Sequence, residues 1–199
     1  MQRLYYDRRR TTGSVVMLPW AHAGIGYLLW SVLTRYRERR PPSDLEAWVL
    51  LFGTQFPDLV DKPLAWTFGI LPSGRSLGHS LFTLSGLFVV GYVVSKRWGR
   101  TNLVVAFGVG SFSHTFADTY RILLEERYAS LGYLLWPILR TPGEDMQRSI
   151  IDHFRGASFG VSFSIQLLLA LVVALVWFRD GAPGLPTHFL LSNEATDTE

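Results

Sequence analysis

The chain has no cysteine among its 199 residues. That excludes a disulfide framework, a thiolate metal site and a cysteine nucleophile. Neither G-x-G-x-x-G nor the Walker pattern occurs, so nucleotide binding through a phosphate-cradling glycine loop has no support. There is no internal repeat and no low-complexity tract. Charge is also missing from long stretches. Gly156 to Phe178 is a run of 23 residues without a charged side chain, and Ser76 to Ser95 is a run of 20 in which His79 is the only group titrating near neutrality.

The apolar residues, 48% of the chain, are gathered into such runs rather than scattered with core periodicity. A bilayer core takes about 20 residues of helix to cross. Val15 to Thr34 is a third run of this length, interrupted only by His22, and Asn102 to Ala117 is a shorter fourth containing His114. The expected fold is therefore all-α, a multi-pass membrane bundle of about five helices. These are placed near Val15–Thr34, Asp44–Phe56, Ser76–Ser95, Thr101–Leu124 and Gly156–Phe178, with Leu64–Leu71 and Ala129–Leu139 as short interfacial or re-entrant segments. Residues 1–14 read as a basic N-terminal tail, 15–178 as the membrane domain and 179–199 as a polar, disordered tail. The net charge of +3 comes from basic residues at the ends of the apolar runs, where they anchor helices to the membrane. No nucleic-acid partner is expected; the partners are membrane lipids. Only about seven apolar residues precede Ala21-His22-Ala23, at the lower limit for a signal peptide, so the first run reads as a retained membrane helix.

Local signals set the helix ends. Pro41-Pro42 stops the first helix, and Ser43-Asp44-Leu45-Glu46 fits a capping box opening the second. QFPDLVDKP, from Gln55 to Pro63, reads as an early end to that second helix, whose apolar part is well short of a ~30 Å hydrocarbon core, so Asp58 and Asp61 sit below the membrane surface or the helix lies partly in the interface. Three apart, the two acids share a face if the helix continues through Pro57 and converge from a turn if it stops there.

Threading the spans alternately through a bilayer puts His22, Asp58, Asp61, His79, His114 and Asp118 all on one side. Buried ionisable groups cost about 2.5–3.5 kcal/mol each on insertion scales, so three imidazoles and three carboxylates converging there point to a function. His114 and Asp118, four apart, share a helical face. Nitrogen and oxygen donors together suit zinc, manganese or iron, whereas magnesium and calcium prefer oxygen alone. Each residue also has a plain structural role available: His22 as a packing residue, Asp58 as a turn cap, Asp61 paired with Lys62 or Arg75, and Asp118 paired with Arg121. His153 is a reserve ligand or proton shuttle, and His188 lies in the tail. Ser80 and Ser113 adjoin histidines, but neighbouring helical residues point to different faces, which argues against a serine nucleophile.

His22 in AHAGIGYLL, Asp58 and Asp61 in FPDLVDKP, Arg75 and His79 in GRSLGHSL, His114 and Asp118 in SHTFAD, and then LLWP follow one another in an order that resembles the YdjM-like inner-membrane proteins, described as metal-dependent hydrolases. The resemblance spans about Trp20 to Pro137. It implies a helical membrane protein binding a divalent metal ion, expected to be zinc or manganese, and distantly similar to zinc-dependent phospholipase C. It makes His22, Asp58, His79, His114 and Asp118 the metal-site candidates and Arg75 an anion contact. Two positions depart from the family pattern. Gly74 stands where a histidine commonly precedes the arginine, and the aspartates form D-x-x-D rather than D-x-D.

These readings converge on an integral-membrane hydrolase acting on an ester or phosphoester, with a lipid-like substrate, Asp61 accepting the proton of the attacking water and Arg75 holding an anionic group. The alternative is a non-catalytic membrane protein, either a metal or proton carrier or a scaffold, whose polar cluster is structural. A carrier would need polar residues on both halves of the membrane, whereas the ends opposite the cluster carry mainly Arg and Lys. The basic loops Arg35–Arg40 and Lys96–Arg100 favour the cytoplasm, which points to an extracytoplasmic cluster; Arg8, Arg9 and Arg10, on the cluster's own side, count the other way.

Overall fold

A computed structural model describes residues 17–124, 126–139 and 161–185. Among these residues the chain is helical, with no strand. The N-terminal tail, the stretch containing Asp152 and His153, and His188 lie outside the described residues.

Helix α1 is Pro19–Glu38. Proline suits the first helical position, where its missing N–H costs nothing and its fixed φ is already helical. The helix runs one turn further than expected, because Arg35 and Arg37 in its last turn meet the negative end of the helix dipole. Arg39 ends it in the left-handed region, at φ 57°.

Helix α2 is Asp44–Lys62, opened by the expected capping box: the Glu46 amide donates to Ser43 Oγ, and the Ser43 amide donates to the Glu46 carboxylate. The expected early end is not found. The helix continues through Pro57 and runs into a π-helical turn, Pro63–Thr67. Pro57 leaves the Gly53 carbonyl without its usual donor, and Ser111 Oγ supplies one at 3.1 Å. A hydroxyl from a neighbouring helix thus offsets the break.

Helix α3 is Leu81–Ser95, shorter than expected. Residues 76–80 are not helical because their amides are taken elsewhere: Ser76, Gly78 and His79 all donate to the Asp61 carboxylate. Helix α4, Thr101–Leu124, follows a short 3₁₀ turn, Lys96–Trp98. A 3₁₀ segment, Tyr128–Leu135, takes in the first two residues of the LLWP stretch, and helix α5 is Val161–Arg179.

The centre of the bundle is the pair α2 and α4, with α1 against both, α3 beside α4, and α5 against α1. Helices α2 and α4 touch backbone to backbone. A Cβ on Gly53 would stand 2.5 Å from the Phe107 carbonyl oxygen, and one on Gly110 would stand 2.6 Å from that of Leu50. Small residues at such crossings are what allow membrane helices to approach closely. The apolar core of Tyr27, Trp30, Leu50 and Ala106 lies in the half of the bundle away from His22, Asp58 and His114.

The distribution of polarity is inverted relative to a water-soluble protein. Among the described residues, buried polar or charged side chains outnumber buried apolar ones, 18 against 11, while α3 and α5 present rows of exposed valine, leucine and phenylalanine. Among the described residues, helix α5 alone is both long and apolar enough to cross a membrane. Helix α3 has 15 residues, fewer than the roughly 20 of a full span, and α1, α2 and α4 carry charged residues within their length.

The C-terminal region stays attached to the bundle past Arg179, where a tail was expected to begin. Asp180 accepts hydrogen bonds from Tyr27 (2.9 Å), Ser31 (2.6 Å) and Arg35 on α1. The Gly184 amide donates to Asp44 (2.8 Å), and Trp48 Nε1 donates to the Gly184 carbonyl (3.1 Å).

Candidate metal centre

The six residues singled out by topology meet in one place. His22 comes from the first turns of α1, Asp58 and Asp61 from the last turns of α2, His79 from the loop before α3, and His114 and Asp118 from the second half of α4. The imidazoles are almost fully buried, with side-chain exposures of 4% for His22, 0% for His79 and 1% for His114.

Two of the imidazoles have their tautomers set by their partners. His114 Nδ1 lies 2.6 Å from the Thr54 carbonyl oxygen, an acceptor, so it carries the proton. The same holds for His79 Nδ1, 2.8 Å from Asp61 Oδ2. Each ring therefore turns its Nε2 inward, and those two atoms face each other at 3.2 Å. Two lone pairs at that separation repel unless a proton or a cation lies between them.

Asp58 Oδ1 completes a triangle, 3.6 Å from His79 Nε2 and 3.7 Å from His114 Nε2. Donors bound at about 2.0–2.2 Å in tetrahedral geometry stand roughly 3.4 Å apart, so the three edges match one face of a tetrahedral site. A second group shares His114: His22, His114 and Asp118 also bring ligand atoms within 4.8 Å of one another. His22 stacks on His114 with ring centroids 4.0 Å apart, and its Nε2 lies 3.7 Å from Asp118 Oδ1. His22 Nδ1 is buried with no hydrogen-bond partner among the described residues. An unsatisfied buried imidazole nitrogen calls for an explanation, and a metal ion is one. The donor set therefore fits a divalent transition metal.

Asp61 is in a different setting from the one expected of a base. Fully buried, it accepts from the Ser76 and Gly78 amides (2.7 Å each), the His79 amide (3.2 Å) and His79 Nδ1 (2.8 Å). A carboxylate offers about four acceptor sites; three of these bonds fall on Oδ2 and one, from Gly78, on Oδ1. Arg75, expected as an anion contact, donates from Nε to Asp118 Oδ2 at 2.7 Å. Lys62 pairs with Asp58 at 2.5 Å. Both cations named as partners for Asp61 are thus paired with the other two acids.

Further residues support the cluster without having been read from the sequence. Tyr133 packs edge-on to His79, with ring centroids 6.0 Å apart, and shares a 2.9 Å hydrogen bond with Thr119. Ser80 Oγ donates to the Trp136 carbonyl at 2.6 Å, so LLWP closes over the His79 loop. The histidine position vacated by Gly74 is filled by Trp66, whose ring would stand 2.9 Å from a Cβ there. The i, i+4 spacing of Asp58 and Lys62 was the one signal that could have revealed their pairing.

Neither the curated proteins nor the solved structures compared with the chain gave a match. The family described as YdjM inner membrane protein matches residues 17–192, a stretch that contains the whole His/Asp cluster. The chain belongs to the YdjM family of inner membrane proteins.

Proposed function

We propose that the protein is a multi-pass integral-membrane hydrolase that uses a divalent metal ion, zinc or manganese, to cleave an ester or phosphoester. The observation that carries this reading is the triangle of Asp58 Oδ1, His79 Nε2 and His114 Nε2, with edges of 3.2, 3.6 and 3.7 Å. Three protein ligands with a fourth position open is the arrangement of catalytic rather than structural zinc.

Asp58, His79 and His114 would hold the ion, with His22 and Asp118 extending the donor set around His114. When bound, the ion supplies a lowered water pKa and positive charge for an oxygen developing negative charge. The protein's own groups do the rest. Asp61 and the Thr54 carbonyl hold His79 and His114 in the tautomer that presents Nε2. Asp61, bonded by four donors of the His79 loop, positions His79, while Asp58 and Asp118 are the carboxylates that face the Nε2 atoms and can take a proton there. Water adds across the scissile ester, and the alcohol leaves with one of its protons.

An apolar groove of about 530 Å³ bordered by Leu81, Leu131 and Leu135 opens two residues from His79, which supports a lipid-like substrate. The exposed apolar faces of α3 and α5 and the buried polar interior support several membrane crossings. The positive-inside preference supports an extracytoplasmic site.

Elemental analysis of detergent-purified protein tests the proposal. Wild type should carry about one or two equivalents of a transition metal, and His114→Ala and Asp118→Ala, if monodisperse and helical by circular dichroism, should lose it. Wild type that takes up no metal even after reconstitution would leave the cluster structural.

A further inference from the structure

The imidazoles and the cations occupy different depths. The three histidine side chains are at most 4% exposed, whereas Lys62 is 19% and Arg75 16% exposed. The accessible rim of the cluster is thus formed by two ion pairs, Lys62 with Asp58 and Arg75 with Asp118. Each carboxylate is used on both sides. Asp58 turns Oδ1 to His79 and His114 and Oδ2 to Lys62. Asp118 turns Oδ1 to His22, while Oδ2 takes the Arg75 bond. The imidazoles thus lie deeper than an ammonium and a guanidinium that are each paired to a carboxylate of the cluster.

The charge balance gives that rim a sign. Without metal, Asp58, Asp61 and Asp118 are offset by Lys62, Arg75 and a proton shared between His79 Nε2 and His114 Nε2, so the cluster has no net pull on an anion. A divalent cation in place of that proton makes the cluster net positive. As the two carboxylates turn toward it, they also release part of the hydrogen-bonding capacity of Lys62 and Arg75. Arginine presents a planar fork suited to phosphate oxygens, and lysine a compact point charge.

Resting on the metal-dependent reading above, we infer that Lys62 and Arg75 form a two-cation clamp for a tetrahedral phosphate-type anion. The substrate is then a phosphoester rather than a neutral carboxylic ester, and its anionic group binds only after the metal. Lys62 is a binding residue in this assignment, and not merely a helix-surface partner of Asp58.

The test uses the full chain in detergent, reconstituted with zinc, with metal content measured for every sample. Binding is read by calorimetry with two probes, inorganic phosphate in solution and phosphatidate in mixed micelles. Zinc-loaded wild type should bind, and the chelated protein should bind at least about 10-fold more weakly. Lys62→Gln and Arg75→Gln, with zinc retained, should each weaken binding about 10- to 100-fold, the range expected for losing a charge-assisted contact. Lys62→Arg should stay close to wild type. Phosphatidate binding tighter than phosphate would assign the anion to a lipid headgroup, and equal binding would assign it to a free phosphate group; both outcomes support the clamp. Zinc-loaded wild type that binds neither probe, or glutamine variants that keep zinc and bind as wild type does, would overturn it while leaving the metal site standing. Loss of zinc in Lys62→Gln would overturn it too, by making Lys62 a support for Asp58. Wild type without zinc removes the parent reading itself.

Discussion

Ser111 Oγ donates to the Gly53 carbonyl at 3.1 Å, the acceptor that Pro57 leaves unused on α2. Removing the hydroxyl strands a buried carbonyl, which costs about 1–3 kcal/mol. Ser111→Ala should therefore lower the thermal midpoint of the purified protein. In a Pro57→Ala background the restored amide can satisfy Gly53, and the same substitution should cost much less. Additive effects across this cycle would show that the hydroxyl does not compensate for the proline.

Asp61 touches no inward-facing donor atom of the cluster, yet it holds His79 Nδ1 at 2.8 Å. Partners of this kind typically govern metal affinity by about 10- to 100-fold. Asp61→Asn, which places an amide donor among four other donors, should weaken zinc binding by that factor in a chelator competition. An unchanged affinity in a folded variant would remove Asp61 from the positioning role.

Gly53 and Gly110 stand where α2 and α4 leave no room for a methyl group. Gly53→Ala should push the helices apart at a cost of about 1–3 kcal/mol, and the Asp58–His114 spacing should widen with it. Urea or thermal unfolding in detergent reads the first effect and zinc affinity the second. A neutral alanine would mean that the contact is looser than the backbone distances indicate.

Asp180, just beyond α5, has its carboxyl pushed up by burial but held below the usual range by hydrogen bonds from Ser31, Arg35 and Tyr27. A carboxylate depressed in this way contributes its full stability above the unfolded value of about 3.9. It loses that contribution as pH falls through the folded value. Acidifying wild type below about pH 4 should therefore lower its melting temperature, with part of the slope due to Asp180. Asp180→Asn should melt lower at neutral pH and show a shallower acid limb. Parallel limbs would mean that the Asp180 ion pair contributes nothing measurable.

Much of this arrangement was legible in the residues. Alternate threading placed His22, Asp58, His79, His114 and Asp118 on one side, and they meet in one cluster, because helix direction and position along the helix determine depth. The Ser43–Glu46 capping box was readable because it is local. What escaped reading depended on partners far along the chain. Pro57 looked like a stop because Ser111, which compensates for it through Gly53, is 58 residues beyond that glycine. His79 looked helical because nothing nearby shows that the Asp61 carboxylate gathers the amides of Ser76, Gly78 and His79. Lys62 and Arg75 were both recognised as candidate partners; the Asp58–Lys62 pair is local to α2 at i, i+4, whereas the Arg75–Asp118 pair depends on where the loop before α3 meets α4.

Two neighbouring carbonyls of α2, those of Gly53 and Thr54, are held by Ser111 and His114 of α4. The smallest portable unit of the centre is consequently this helix pair, with the His79 loop and the first turns of α1 docked on it, rather than its five ligands. Grafting the histidines and aspartates onto another bundle would reproduce the donor types without the hinge that aims them. A redesign that aims to change the metal would have to alter both helices together, since neither can rotate about its axis while those two bonds remain.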